Sequence, residues 1–177
     1  MEANREYFRA VSVFTNYEIS SVGRVRNSKT RRILKSFDNG FGYLMSKLYK
    51  DGKGNTIAIH KLVAAAFVDN PEGKQCVDHI DSNTKNNNWE NLRPATHSEN
   101  NRNRSKRVNA TSIYYGVSWV KKSKKWTAQI SINTTVVNLG CFIEEKEAAA
   151  VFNAAAIEHY GVFAKLNDLT CFKKEAA

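Results

Sequence analysis

The chain is predicted to be an α+β protein: a small N-terminal β-rich module, a central segment built around a capped helix, and a C-terminal three-stranded sheet packed on one helix. Three observations carry this. Short alternating apolar runs with glycine-rich turns fill the first 72 residues. In Thr96-His97-Ser98-Glu99, threonine followed three residues later by glutamate just after Pro94 marks a helix start. From Tyr114 onward, three strand-like runs precede an alanine-rich stretch with no strand period.

The elements follow in order. Strands are expected at Tyr17 to Ser20, Arg24 to Arg26, Leu44 to Tyr49 and Ile57 to Ile59, with Asp51-Gly52-Lys53-Gly54-Asn55 as a hairpin turn, because glycine supplies the positive φ such turns need. A short helix spans His60 to Phe67, and Pro71, Glu72 and Gly73 close the module at residue 72. The central segment, residues 73–104, holds an apolar-polar stretch around Val77, an asparagine-rich loop from Ser82 to Asn88, and the capped helix with Asn100 in its first turn. Residues 105–113 read as a linker within a basic, polar stretch that includes Arg102, Arg104, Lys106 and Arg107. The last module, residues 114–170, contains strands at Tyr114 to Val120, Trp126 to Asn133 and Val136 to Phe142, then a helix from about Glu144 to Tyr160 that Gly161 stops.

Lysine plus arginine number 27 against 17 acidic residues, a net charge of +10, so polyanions are the expected partners. Cys76, Cys141 and Cys171 lie far apart and leave an odd thiol under any pairing, which points to a reduced, cytosolic compartment. Met1 to Arg9 carries Glu2 and Glu6 with no apolar stretch after it, so a secreted protein is not expected, and no run approaches the ~20 apolar residues that span a bilayer.

Hydrolysis of a phosphodiester requires a base to deprotonate water and a cation to offset charge on the phosphate. Val77-Asp78-His79-Ile80 offers both residue types, although strand neighbours project to opposite faces unless a bend intervenes. Asn91 in Asn91-Leu92-Arg93 lies twelve residues after His79, and Asn100 lies nine further on. In these residues and spacings the segment resembles the HNH, or ββα-metal, nuclease family, which folds two strands and a helix around one divalent cation. The resemblance implies that His79 is the general base, Asp78 and Asn100 are metal ligands, and Asn91 braces the loop that holds His79. Asparagine stands at the third position where many relatives have histidine, as in nucleases encoded in phage introns. Oxygen-only ligation favours Mg²⁺ or Mn²⁺ over Zn²⁺. Arg93 is a candidate phosphate contact, His97 a weaker one, and His60 and His159 read as structural.

Two further resemblances flank this motif. Tyr17-Glu18-Ile19-Ser20, Gly23-Arg24-Val25-Arg26 and His60-Lys61-Leu62-Val63-Ala64 resemble the modular domain that precedes HNH nucleases in phage, with Arg24, Arg26, Arg31 and Arg32 suited to phosphate contacts. Tyr115-Gly116-Val117, Trp126-Thr127-Ala128-Gln129-Ile130, Leu139-Gly140-Cys141-Phe142 and Glu147-Ala148-Ala149 are similar to the plant ethylene-response-factor (Apetala-two) DNA-binding domain. On its free sheet face, alternation selects Tyr115, Ser118, Lys121, Lys122, Lys125, Gln129, Ser131 and Asn138. Several arginines used by the plant family are missing here, so its target sequence does not transfer. Trp119 and Trp126 read as packing residues.

The resemblances together imply a homing-type DNA endonuclease acting on double-stranded DNA as a monomer, nicking one strand per site, with no small-molecule cofactor beyond the metal. Their phage members imply action in an infected host cell. A transcription-factor-like DNA-binding protein stays open as the alternative, against which an intact Asp78, His79, Asn91 and Asn100 set speaks.

Overall fold

The computed structural model describes residues 5–102 and 111–170, and the chain divides after Asn100 into two compact units. Mixed helices and small antiparallel sheets make it α+β.

The first unit opens with a three-stranded sheet of β1 (Phe8–Ala10), β2 (Tyr17–Ser20) and β3 (Val25–Asn27), in that order. A second sheet follows, from β4 (Phe37–Asp38), β5 (Leu44–Lys50) and β6 (Lys53–Ala58). The β5–β6 hairpin corrects the expected turn. Asp51 (φ 51°) and Gly52 (φ 75°) form a two-residue loop with positive φ at both positions, so Lys53, Gly54 and Asn55 join the strand. Helix α1 (Ile59–Phe67) buries Ile59, His60, Leu62 and Val63, the i, i+3, i+4 pattern of an amphipathic helix. Its end precedes Pro71, and the Val68 N–H still reaches the Ala64 carbonyl.

A two-stranded ribbon of β7 (Cys76–His79) and β8 (Leu92–Ala95), followed by α2 (His97–Arg102), completes this unit's elements. The capping box forms as the sequence indicates: the Thr96 N–H donates to Glu99 Oε2 at 2.7 Å and the Glu99 N–H to Thr96 Oγ1 at 3.2 Å. One apolar core holds Val11, Ile19, Val25, Leu48, Ile59, Val63 and Leu92, with Val77 packed against it. This core runs across the expected boundary at residue 72, because the ribbon's inner face has too little apolar area to close on itself and docks on α1.

The second unit is a sheet of β9 (Val117–Val120), β10 (Lys125–Ile132) and β11 (Thr135–Phe142), in the order β11-β10-β9, carrying α3 (Glu145–Tyr160). Ala128, Ile130, Ala148, Ala149, Phe152, Ala155 and Ala156 fill the interface. β9 begins later than Tyr114 because Gly116 (φ 69°) turns the chain, and a Cβ there would stand 2.0 Å from the Phe152 ring. The expected linker is also shorter at its C-terminal end. Thr111 and Ser112 accept from the Trp119 and Tyr114 N–H groups, which fixes them in the domain.

Candidate active site

Register along the β7–β8 ribbon sets the central residues. Asp78 stands opposite Arg93, and His79 opposite Leu92. Successive strand residues alternate faces, so Asp78 shares the side of Cys76, whose Sγ lies 3.2 Å from His97 Nδ1 on α2. His79 shares the side of Val77 and the core. Both side chains are buried, Asp78 at 3% and His79 at 5% exposure.

The His79 ring lies 5.2 Å from that of His60 and 6.2 Å from that of Tyr43. Its Nε2 is 3.3 Å from Asn87 Oδ1, while Asn87 Nδ2 donates to the Lys85 carbonyl at 3.2 Å. Because the amide's NH₂ end donates to a carbonyl, its oxygen is the atom that faces the imidazole, an arrangement that favours the tautomer with the proton on Nε2. Burial pushes the His79 pKa below the ordinary imidazole value, against the opposing influence of the Asn87 hydrogen bond and the Asp81 and Asp78 charges. At neutral pH it is therefore an uncharged base. His60 is driven further, to about 4, first by burial and then by the positive forms of His79 and Lys61.

Asn91 holds the intervening loop through its side chain. Its Oδ1 accepts from the Asp81 N–H at 3.0 Å, and its Nδ2 donates to Asp81 Oδ1 and to the Asn86 carbonyl, each at 2.9 Å. Burial raises the Asp81 carboxyl, but hydrogen bonds from the Asn86 side chain, the Asn83 N–H and Asn91 outweigh it and leave the group below its usual range. The N-terminal hairpin supports this loop from behind. The Trp89 N–H donates to the Ser21 carbonyl at 2.8 Å, and a Cβ on Gly23 would approach Asn87 Cβ to 2.9 Å.

Asp78 Oδ2 receives Arg93 Nε at 2.8 Å and Nη2 at 2.7 Å, so the guanidinium read as a phosphate contact also engages a carboxylate. Asn100 sits half-buried in the first turn of α2. Asp78 and Asn100 present only oxygen and amide donors, a chemistry that fits a hard divalent ion. No group of three or more histidine, cysteine, aspartate or glutamate side chains gathers as a metal cluster among the described residues.

The outlying candidates divide. Arg24 pairs with Glu6, and Arg26 bonds Glu18 Oε2 at 2.5 Å with its guanidinium 3.5 Å from the Phe8 ring centre. Arg31 shares Glu18 at 2.6 Å, so each of these three arginines has a carboxylate partner within the unit. Arg102 closes α2, and Arg104 lies outside the described residues. In the second unit, Ser118, Lys125, Gln129, Ser131 and Asn138 share the face away from α3 by register, with Lys121 and Lys122 exposed in the β9–β10 turn. Tyr115 is corrected: its side chain packs against the cluster of Ile130, Phe152, Ala155 and Ala156, because Gly116 reverses the chain behind it. The Asn138 amide oxygen is occupied by the Gly140 N–H and the Thr127 hydroxyl. Trp119 and Trp126 stack edge to face on one another at 5.0 Å.

Sequence reasoning passed over Asn87, Tyr43 and the proximity of His60. The asparagine-rich loop was itself visible, but nothing local distinguishes Asn87 from its neighbours. No helix among the described residues is long and apolar enough to cross a membrane.

Comparison with known proteins shows what this segment is similar to. Residues 58–102 match the model of the HNH endonuclease family, covering α1, the β7–β8 ribbon and α2. The chain is 41% identical over 85 residues to the uncharacterized HNH endonuclease L245 of Acanthamoeba polyphaga mimivirus, covering 48% of this chain and 26% of that protein. It is 38% identical over 92 residues to DNA endonuclease I-HmuI of Bacillus phage SP01, covering 52% and 53%. Against H-N-H endonuclease F-TflII of Escherichia phage T5 it is 34% identical over 89 residues, covering 49% and 46%. The match thus spans about half or less of each relative's length. A solved structure described as DNA binding and cleavage by the HNH homing endonuclease I-HmuI superposes with a TM-score of 0.51 at 35% identity, over 55% of this chain and 56% of that one. The segment that carries Asp78, His79, Asn91 and Asn100 is thus the part of the chain that is similar to HNH endonucleases.

Proposed function

We propose that the chain is a metal-dependent DNA endonuclease of the homing type that hydrolyses one phosphodiester bond per site. The observation that carries this reading is a buried His79 whose Nε2 lies 3.3 Å from Asn87 Oδ1, adjacent to a buried Asp78, inside a segment that matches HNH endonucleases. In that reading His79 Nδ1 takes the proton of the attacking water, and Asn91 keeps the loop, and so the imidazole, in place. Asp78 and Asn100 hold one divalent ion, Mg²⁺ or Mn²⁺. When bound, the ion supplies charge to offset the phosphate and leaving oxygen. Arg93 then shares Asp78 with the ion or turns to a phosphate oxygen.

The Apetala-two-like unit and the basic residues between 101 and 109 position the duplex, and Lys121, Lys122 and Lys125 contact phosphates. With one site per chain, a monomer nicks. Supercoiled plasmid with Mg²⁺ tests the assignment. Open-circle product from the parent and none from His79→Ala supports it; equal cutting by both, or no cutting by the parent, removes it and leaves a DNA-binding protein.

A further inference from the structure

Phe41 is 85% exposed, the most exposed large apolar side chain of the described residues. Its setting is unusual for an exposed ring, because the hairpin tip carrying it is pinned on both sides. Asp38 Oδ1 accepts the Gly40 and Gly42 N–H groups at 2.9 and 3.1 Å. Asn39 Oδ1 accepts those of Phe41 and Tyr43 at 2.9 and 3.1 Å. From the loop after His79, Thr84 Oγ1 donates to the Gly42 carbonyl at 2.8 Å, and Lys85 Nζ lies 3.2 Å from Asp38 Oδ2. The tip is therefore fastened to the same loop that positions His79.

Its placement relative to the chemistry follows from chain geometry. Phe41 is two residues from Tyr43, whose ring lies 6.2 Å from His79. Two residues reach at most about 7 Å and each aromatic side chain adds about 5–6 Å, so the Phe41 ring lies within about 25 Å of the base, or roughly seven base-pair steps along a duplex. An isolated apolar ring in water is ordinary on a protein surface. A tip whose backbone is held by six hydrogen bonds or ion contacts, two of them from the active-site loop, has the ordering cost of its main chain met before any partner arrives.

We propose that Phe41 is a DNA-wedging residue: its ring enters between two base pairs a few steps from the scissile phosphate, unstacks them and bends the duplex onto the active site. This rests on the endonuclease reading above, and the two stand or fall by different measurements. The nick made in plasmid is mapped first, and a duplex of that sequence is labelled with 2-aminopurine at successive positions on each side of it. On binding of the full chain in EDTA, fluorescence rises at a step within about seven base pairs of the nick, as an unstacked base requires.

Phe41→Ala, on an exposed tip, keeps the parent's circular dichroism and melting temperature, loses the fluorescence rise, and nicks roughly tenfold or more slowly, while Phe41→Trp retains both signals. A parent that nicks without any fluorescence rise, or a Phe41→Ala chain that nicks and unstacks as the parent does, overturns the wedge and leaves the nuclease intact. A parent dimer that becomes monomeric in Phe41→Ala, with the fluorescence unchanged, also overturns it and assigns the ring to self-association. A parent that cuts no plasmid removes the endonuclease reading itself.

Discussion

Replacing Asn87 by alanine probes the site at a buried contact. Asn87 is 4% exposed and reaches His79 Nε2 at 3.3 Å with its amide oxygen. Truncation leaves a buried imidazole N–H without an acceptor, at about 1–3 kcal/mol. The ring is then free to adopt the other tautomer, which places the proton on the nitrogen that should act as base. If that cost falls on the productive state, nicking slows by about 5- to 150-fold, since each 1.36 kcal/mol is tenfold. Because Asn87 is covered by the loop, binding of a plasmid-derived duplex in EDTA should stay within twofold. Asn87→Asp keeps an acceptor and adds charge, so it retains most activity with its pH limb moved upward. The assay is single-turnover nicking of supercoiled plasmid. Should Asn87→Ala cut at the parent's rate while His79→Ala is inactive, the amide does not hold the imidazole and the tautomer argument fails.

Burial lowers the His79 pKa, so the nicking rate should rise with pH and level off below the ordinary imidazole value of 6.5; a limb centred above that value contradicts the assignment of an uncharged base. His60 titrates at about 4 when folded against 6.5 when unfolded, so its contribution to stability is complete above pH 6.5 and is lost as pH falls toward 4. The loss amounts to about 3 kcal/mol, read from urea midpoints at pH 7 and 4.5; His60→Phe should flatten that dependence, and an unchanged slope argues against it. Gly23→Ala combines a φ of 89° with a Cβ 2.9 Å from Asn87 Cβ and 3.1 Å from Ile59 Cγ2. It should destabilise the first unit by roughly 2–4 kcal/mol and lower its melting temperature by about 10 °C or more in calorimetry, whereas an unchanged transition would show that the hairpin can move away.

What could be read from the sequence was local. The capping box at Thr96 and Glu99 needs only four residues, and the structure forms both of its hydrogen bonds. The strand periods of the second unit and its glycine stop are likewise short-range, and β10, β11 and α3 fall within a residue or so of the expected bounds at most ends. Asp78, His79, Asn91 and Asn100 could be picked out because residue type and spacing together resembled a family, not because any one of them is distinctive. The fold class followed from the order of these patterns.

Tertiary packing decided the remainder. His60 looked like one more residue of a helix, and only the docking of α1 against the ribbon brings its ring 5.2 Å from His79. Asn87 is one of several asparagines in its loop, singled out by burial beside an imidazole. Arg26 and Arg93 each pair with a carboxylate, since partly buried guanidinium groups need partners, and a sequence pattern does not reveal which. Tyr115 turned inward because a positive φ at Gly116 reverses the chain beside it. Hydrogen bonds and periods that close within one turn of chain are encoded where they occur. Contacts between residues distant in sequence depend on which apolar faces find one another, and that is settled only when the core assembles.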